Sequence, residues 1–127
     1  MSLQTHDLSL AIADKNIVEQ LNICFNPGEF WGVMGVNGVG KSTLLQALLG
    51  LYQSDKGFIT LENKEIKDYK RLELAQLTGM MHQEYDYNFP STVLEATLIG
   101  RHPFIHNWQR ENDQDIKLAQ QALHKVR

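Results

Sequence analysis

The sequence predicts an α/β fold, and three observations carry that prediction. Short segments near the N-terminus alternate apolar and polar residues, as half-buried strands do. The run Phe30-Trp31-Gly32-Val33-Met34 is apolar without alternation and leads into a glycine-rich loop, Gly35 to Gly40. A leucine-rich segment at helical spacing follows at once. Strand, tight loop and helix in that order are the repeating unit of α/β architectures.

The composition agrees with an ordinary globular chain. Of 127 residues, 43% are hydrophobic and 21% charged, which excludes disordered and fibrous classes. Twelve Lys and Arg stand against fifteen Asp and Glu, a net charge of −3. That balance argues against a nucleic-acid partner, which favours basic surfaces. The single cysteine, Cys24, excludes an internal disulfide framework and fits a reducing compartment. No apolar run approaches the ~18 residues that a bilayer span needs. Met1–Asp7 lacks a cationic start followed by an apolar stretch, so no secretory leader is expected.

Each element has a local reason. Leu8, Leu10 and Ile12 alternate with Ser9 and Ala11, predicting a first strand. Ala13–Asn16 is a polar turn. Ile17, Leu21, Ile23 and Phe25 predict one strand running back, closed by Asn26-Pro27-Gly28. The run 30–34 predicts a strand covered on both faces, with Trp31 in the core; Cys24 is expected to be a buried strand residue. Lys41–Leu49 predicts a helix through Leu44, Leu45, Leu48 and Leu49, stopped by Gly50. Phe58–Glu62 alternates as a strand, Tyr69–Leu77 reads as a short helix, and Thr78–His82 as a short strand. Glu62–Lys70 is mixed in charge and reads as solvated surface. Ser91 or Thr92 caps a helix through Ile99, with Glu95 as the capping-box partner of Thr92 and Gly100 as the stop. Asp113–Val126 is helical, with Ile116, Ala119, Leu123 and Val126 on one stripe that nothing later in the chain covers.

The loop carries the chemistry. Gly35-Val36-Asn37-Gly38-Val39-Gly40-Lys41-Ser42 satisfies G-x-x-x-x-G-K-[ST], and Thr43 follows. Glycines let successive backbone N–H groups point inward onto an anion. The helix beginning at Lys41 adds its positive end. Lys41 reaches the β- and γ-phosphates, and the Ser42 hydroxyl takes a place on Mg²⁺. G-x-G-x-x-G is absent from this loop, which argues against a dinucleotide fold.

With these residues in view, the chain resembles the ATP-binding subunit of an ABC transporter. The likeness extends over essentially all 127 residues. It rests on Pro27-Gly28-Glu29 leading to Gly35–Thr43, on Met80-Met81-His82-Gln83, and on Phe89-Pro90-Ser91-Thr92-Val93-Leu94-Glu95 continuing to Ile99-Gly100-Arg101-His102-Pro103-Phe104. The resemblance implies a P-loop NTPase: a RecA-like core with an antiparallel β-subdomain over residues 1–88 and the start of a helical subdomain over 89–127. It implies ATP and Mg²⁺ as ligands. Gly35, Asn37, Gly38, Val39, Gly40, Lys41, Ser42 and Thr43 would hold the phosphates, with Ser42 and Gln83 at the metal. Lys41 and Gln83 would serve hydrolysis. An aromatic residue usually ends the first strand and stacks on adenine; Ile12 stands there, so Ile12 and Ile17 would offer the base only apolar contact. The implied partners are integral-membrane permease subunits and a second nucleotide-binding subunit, on the cytoplasmic face of the cell membrane. The third stretch is similar to importers for iron-siderophores, haem and cobalamin.

The family's L-S-G-G-Q signature, its strand ending in Asp-Glu and its switch histidine have no counterpart here. The chain is therefore expected to be cut in mid-fold, binding nucleotide without turning it over. Competing readings are a non-transport ABC-type ATPase in DNA repair or translation, a non-catalytic nucleotide-binding fragment, and a small-molecule P-loop kinase. The kinase would not explain Pro27-Gly28-Glu29 or Gln83. His82, His102, His106 and His124 lack a carboxylate or thiol at ligand spacing and read as solvated. Tyr85, Tyr87 and Phe89 form an aromatic loop, suited either to local packing or to contact with a membrane partner.

Overall fold

A computed structural model of the chain describes residues 2–13, 15–81, 90–105 and 110–126. The chain divides into two compact units, Met1–Leu74 and Ala75–Arg127.

The first unit is built on β1 (Leu3–Ile12), which pairs antiparallel with β2 (Lys15–Leu21), β3 (Cys24–Phe25) and β4 (Lys56–Leu61). A short β5 (Lys64–Glu65) pairs with β4. Strand order is β2-β1-β4-β5, with β3 extending the β2 side of β1. The alternation that predicted β1 is the burial pattern: Leu8 and Leu10 are fully buried, whereas Ile12 at the strand end is 42% exposed. Ile59 and Leu61 of β4 and Ile66 of the following turn complete that face. The helix α1 (Lys41–Leu48) closes the core with Ala47 and Leu48. Gly50 ends α1 in the left-handed region, at φ 70°. Its N–H bonds Ala47 O and that of Leu51 bonds Gln46 O, satisfying the last carbonyls as a Schellman motif does.

The predicted return strand is two strands, because the chain leaves the ladder between them. Thr5, buried within β1, holds that break: its hydroxyl donates to Leu21 O and accepts from Ile23 N–H, both at 2.9 Å. Glu62–Lys70 is not simply solvated surface, since it contains β5 and the buried Ile66.

Two predicted strands are not formed. Residues 30–34 form no strand; Phe30 and Met34 are almost fully exposed and Trp31 is 54% exposed. Residues 78–81 are likewise without a ladder. A strand is stabilised by its neighbours, and among the described residues no strand forms a ladder with either run. Trp31 is therefore a half-covered residue rather than a core one, its ring meeting Phe25 edge-on with centroids 5.0 Å apart. Cys24 is exposed, not buried; within the two-residue β3 it is Phe25 that is half-buried.

In the second unit, α2 (Arg71–Leu77) enters from the first unit, followed by α3 (Val93–Leu98) and α4 (Asp113–Lys125). The Thr92–Glu95 capping box opens α3 as predicted. Gly100 does not stop the chain: it lacks the positive φ of a helix-ending glycine, and a tighter 3₁₀ helix runs through Ile99–Phe104. A second capping box, Asn112 with Asp115, opens α4. The stripe on α4 is covered over most of its length, because α4 packs on α3: Ala119 is buried, Ile116 and Leu123 are half-buried, and only Val126 stays exposed.

Asp115 joins these pieces. Its buried carboxylate accepts from the Asn112 N–H at 3.1 Å and from Arg101 Nε at 2.9 Å. The Asn112 backbone N–H, then Arg101, hold its pKa below the ordinary 3.8. A carboxyl with a lowered folded-state pKa stabilises the fold fully above its unfolded value, and that stabilisation fades as pH falls through the folded value. Asp115→Asn is therefore expected to lower the urea midpoint at pH 7, with the gap to the parent chain shrinking below pH 3.8. A gap that stays constant with pH would contradict the pairing.

Candidate functional site

The glycine-rich loop sits between the unladdered run and α1. Its entry is fixed by side chains. The Glu29 carboxylate accepts from Asn26 N–H at 2.8 Å, from Asn26 Nδ2 at 2.9 Å and from the Trp31 indole N–H at 2.9 Å. The Asn26 backbone N–H is the largest influence that lowers the Glu29 pKa.

Within the loop, Gly38 and Gly40 adopt φ of 75° and 106°. Gly40 is the N-cap of α1, and no side chain caps that end. The first turn of α1 holds no acidic residue, so no carboxylate competes for its free N–H groups. Lys41 folds back over the loop, its ammonium donating to Gly35 O at 2.8 Å and to Val36 O at 3.0 Å. Val39 N–H donates to Val36 O at 3.3 Å. The loop's carbonyls are thus bonded from within, Gly35 O and Val36 O by the Lys41 cation, while the N–H groups at the helix start are left uncapped. Asn37 and Ser42 are exposed, Thr43 half-buried.

The β1–β2 hairpin leans on this loop. A Cβ added at Gly40 would lie 2.5 Å from Ile17 Cγ2, so only glycine admits that side chain. Lys15 donates from Nζ to Gly38 O at 3.1 Å. Ile12 pairs in register with Lys15 at the hairpin end. Behind the hairpin, Ala11 N–H donates to Asp55 Oδ2 at 2.6 Å and Ala11 O accepts from Tyr52 Oη at 3.2 Å, tying strand β1 to the segment after α1.

The structure therefore brings together Gly35, Asn37, Gly38, Val39, Gly40, Lys41, Ser42, Thr43 and Ile17, with Ile12 at the end of the hairpin that supplies Ile17. Gln83 lies outside the described residues, as do His82, His106, Tyr85, Tyr87 and Phe89. His102 stands 3.9 Å from Glu111, and among the described residues no three His, Cys, Asp or Glu gather as metal ligands. Lys15 is the site neighbour that the sequence reading missed. It lies in a segment read only as a polar turn, and the one available signal was its nearness to Ile17, two residues on and on the same strand face.

The sequence profile described as ABC transporter matches residues 18–127. The chain belongs to the ABC transporter family. It is 32% identical, over 98% of its length, to the hemin import ATP-binding protein HmuV of Methylobacillus flagellatus. It is 34% identical over 94% of its length to the manganese transport system ATP-binding protein MntB of Listeria innocua. An ABC transporter ATP-binding protein of Bacillus subtilis, YvrA, is 32% identical over 98% of the chain. The chain spans 45% of that HmuV, 48% of MntB and 28% of YvrA. Among solved structures, an inward-facing metal-chelate type ABC transporter matches with a TM-score of 0.80 at 30% identity, over 98% of this chain and 45% of that one. CbiO1 of Clostridium perfringens, part of an ABC transporter complex, matches at 0.75 and 29%, over 98% of this chain and 49% of its own. The fold is that of ABC ATP-binding cassettes, P-loop NTPases with an antiparallel β-sheet.

The Gly40–Ile17 contact has a direct test. Gly40→Ala is expected to cost about 2–5 kcal/mol, from left-handed backbone plus the clash. Combined with Ile17→Ala, the clash disappears and only the backbone part remains. Urea titrations of the two single variants and the double should show a coupling of about 1–3 kcal/mol. Strict additivity would show that the two residues do not touch.

Proposed function

We propose that this chain is the nucleotide-binding portion of an ABC importer's ATP-binding subunit, in which ATP binding and hydrolysis drive transport. The observation that carries the reading is the loop itself: two left-handed glycines, an uncapped helix start free of acidic residues, and a lysine bonded only to the loop's own carbonyls. Each feature suits a bound polyphosphate.

Binding is an exchange. Lys41 releases Gly35 O and Val36 O and takes β- and γ-phosphate oxygens, while the N–H groups from Gly38 to Thr43 turn onto the phosphates. Charge-assisted hydrogen bonds to phosphate are stronger than those to a neutral carbonyl, which drives the exchange. The Ser42 hydroxyl, exposed and without a hydrogen bond among the described residues, suits one oxygen position on Mg²⁺. Mg²⁺ would neutralise charge on the β- and γ-oxygens. Gln83 is assigned to the metal or the attacking water on its position after Met80-Met81-His82. At the hairpin end, Ile12 and Ile17 offer the base apolar surface and no ring.

The substrate class of the transporter follows the relatives. Proteins named for hemin import and manganese transport, and a metal-chelate type transporter, support a metal or metal complex as cargo, which we narrow to an iron complex, haem or cobalamin on the stretch from Phe89 to Phe104. Membership in a transport system suits integral-membrane permease subunits as partners, and with them we propose a second nucleotide-binding subunit and a place on the cytoplasmic face of the membrane. The relatives favour transport over a role in DNA repair or translation. Among the described residues no helix is long and apolar enough to cross a membrane.

Two measurements check this. Lys41→Ala should abolish most Mg²⁺·ATP binding in calorimetry, and an unchanged affinity would remove the assignment. Ile12→Tyr should tighten ATP binding, since stacking on a base is worth about 1–3 kcal/mol. Equal affinity in that variant would put the base away from position 12.

A further inference from the structure

We propose that Lys15 is a second phosphate-binding cation of this site, reaching the polyphosphate from the β1–β2 hairpin; the inference rests on the nucleotide reading of the loop. Three observations lead to it. Lys15 Nζ lies 3.1 Å from Gly38 O, at the exposed tip of the loop. Lys15 and Ile17 are two apart in β2, so they share a strand face, and Ile17 packs on Gly40. The hairpin is thereby held against the loop, and Lys15 is aimed at it. Finally, neither Lys15 nor Lys41 has a carboxylate partner among the described residues; the lysines that do are Lys64 and Lys67.

The loop therefore holds two ammonium groups, bonded to Gly35 O, Val36 O and Gly38 O. Peptide carbonyls accept hydrogen bonds but neutralise no charge. Two like charges on one short loop are mutually unfavourable until an anion with more than one charge lies between them. Lys41 brings one positive charge to the β- and γ-phosphates, which together carry more than one negative charge. A second cation suits a di- or triphosphate. The Lys15 ammonium uses one of its three N–H donors on Gly38 O, and its four-carbon stem lets it turn toward an incoming phosphate. This arrangement also bears on the hairpin end, where Ile12 faces Lys15 in register. With no ring there to stack on the base, recognition moves toward the charge of the phosphates.

The test uses the whole 127-residue chain and titration calorimetry with Mg²⁺·ATP, inorganic triphosphate and AMP. Lys15→Gln should weaken ATP and inorganic triphosphate by about three- to fivefold, the range of an exposed charge pair, and flatten the salt dependence of binding. AMP should change little, and Lys15→Arg should restore triphosphate affinity. Equal ATP affinity in the parent chain and Lys15→Gln would overturn the inference and leave the nucleotide reading standing. An equal loss for ATP and AMP would overturn it too, because Lys15 would then only brace Gly38. A parent chain that binds neither ATP nor triphosphate would overturn the nucleotide reading, and this inference with it. Lys15 is exposed, and circular dichroism should show both variants folded as the parent is.

Discussion

Ile17 against Gly40 is the contact on which the arrangement of the first unit depends. A side chain at position 40 would occupy the space that Ile17 fills. Gly40 also starts α1 from a left-handed backbone that other residues adopt at a cost of about 1–2 kcal/mol. One residue therefore satisfies two demands, the entry angle of the helix and the approach of the hairpin. The helix then delivers Ala47 and Leu48 to Leu8, Leu10 and Leu61, and the hairpin delivers Lys15 to the loop. Core and site share this junction, so a change that loosens one displaces the other.

The loop is quiet as it stands. Lys41 bonds two carbonyls, Val39 N–H bonds Val36 O, and Lys15 bonds Gly38 O. A ligand must replace each of these with something stronger. On the proposed function an anion would do so, offering charge to both ammonium groups and acceptors to the N–H groups that line the helix start. A neutral sugar or amide would exchange hydrogen bonds of equal kind and gain little. The self-bonded loop would thus favour an anion over a neutral ligand.

The parts of the fold legible in the sequence were those decided within a few residues. The G-x-x-x-x-G-K-[ST] loop, the helix after it, the Gly50 stop and the Thr92–Glu95 capping box all have local causes, and all are present. The errors lie where a partner decides. Residues 30–34 have the composition of a buried strand, yet they form no ladder, because a ladder needs a neighbour and no described residue supplies one. Trp31 and Cys24 were judged by residue type alone, and both are more exposed than that type suggests. The α4 stripe, expected to lie bare, is covered by α3, which precedes it in the chain. Asp115 escaped notice because its importance comes from Arg101, fourteen residues away and meeting it across a turn. Lys15 was hidden in the same way, its partner Gly38 being set by tertiary packing.

The unladdered entry to the loop shows how a site is held without sheet support. A strand would fix residues 30–34 through its backbone. Here Glu29 does part of that work, gathering the N–H of Asn26, its amide and the indole of Trp31 on one carboxylate. Those bonds draw Trp31 back toward the Pro27-Gly28 turn, where its ring meets Phe25 of β3. Phe25 pairs with Leu3 at the start of β1, so the turn is anchored to the central strand. The loop is therefore held at both ends from one strand: at its start through Phe25, Trp31 and Glu29, and at its end through the hairpin and Ile17. Fixing both ends leaves the glycines between them as the segment free to change, and on the proposed function that is the segment that would turn its N–H groups toward an anion.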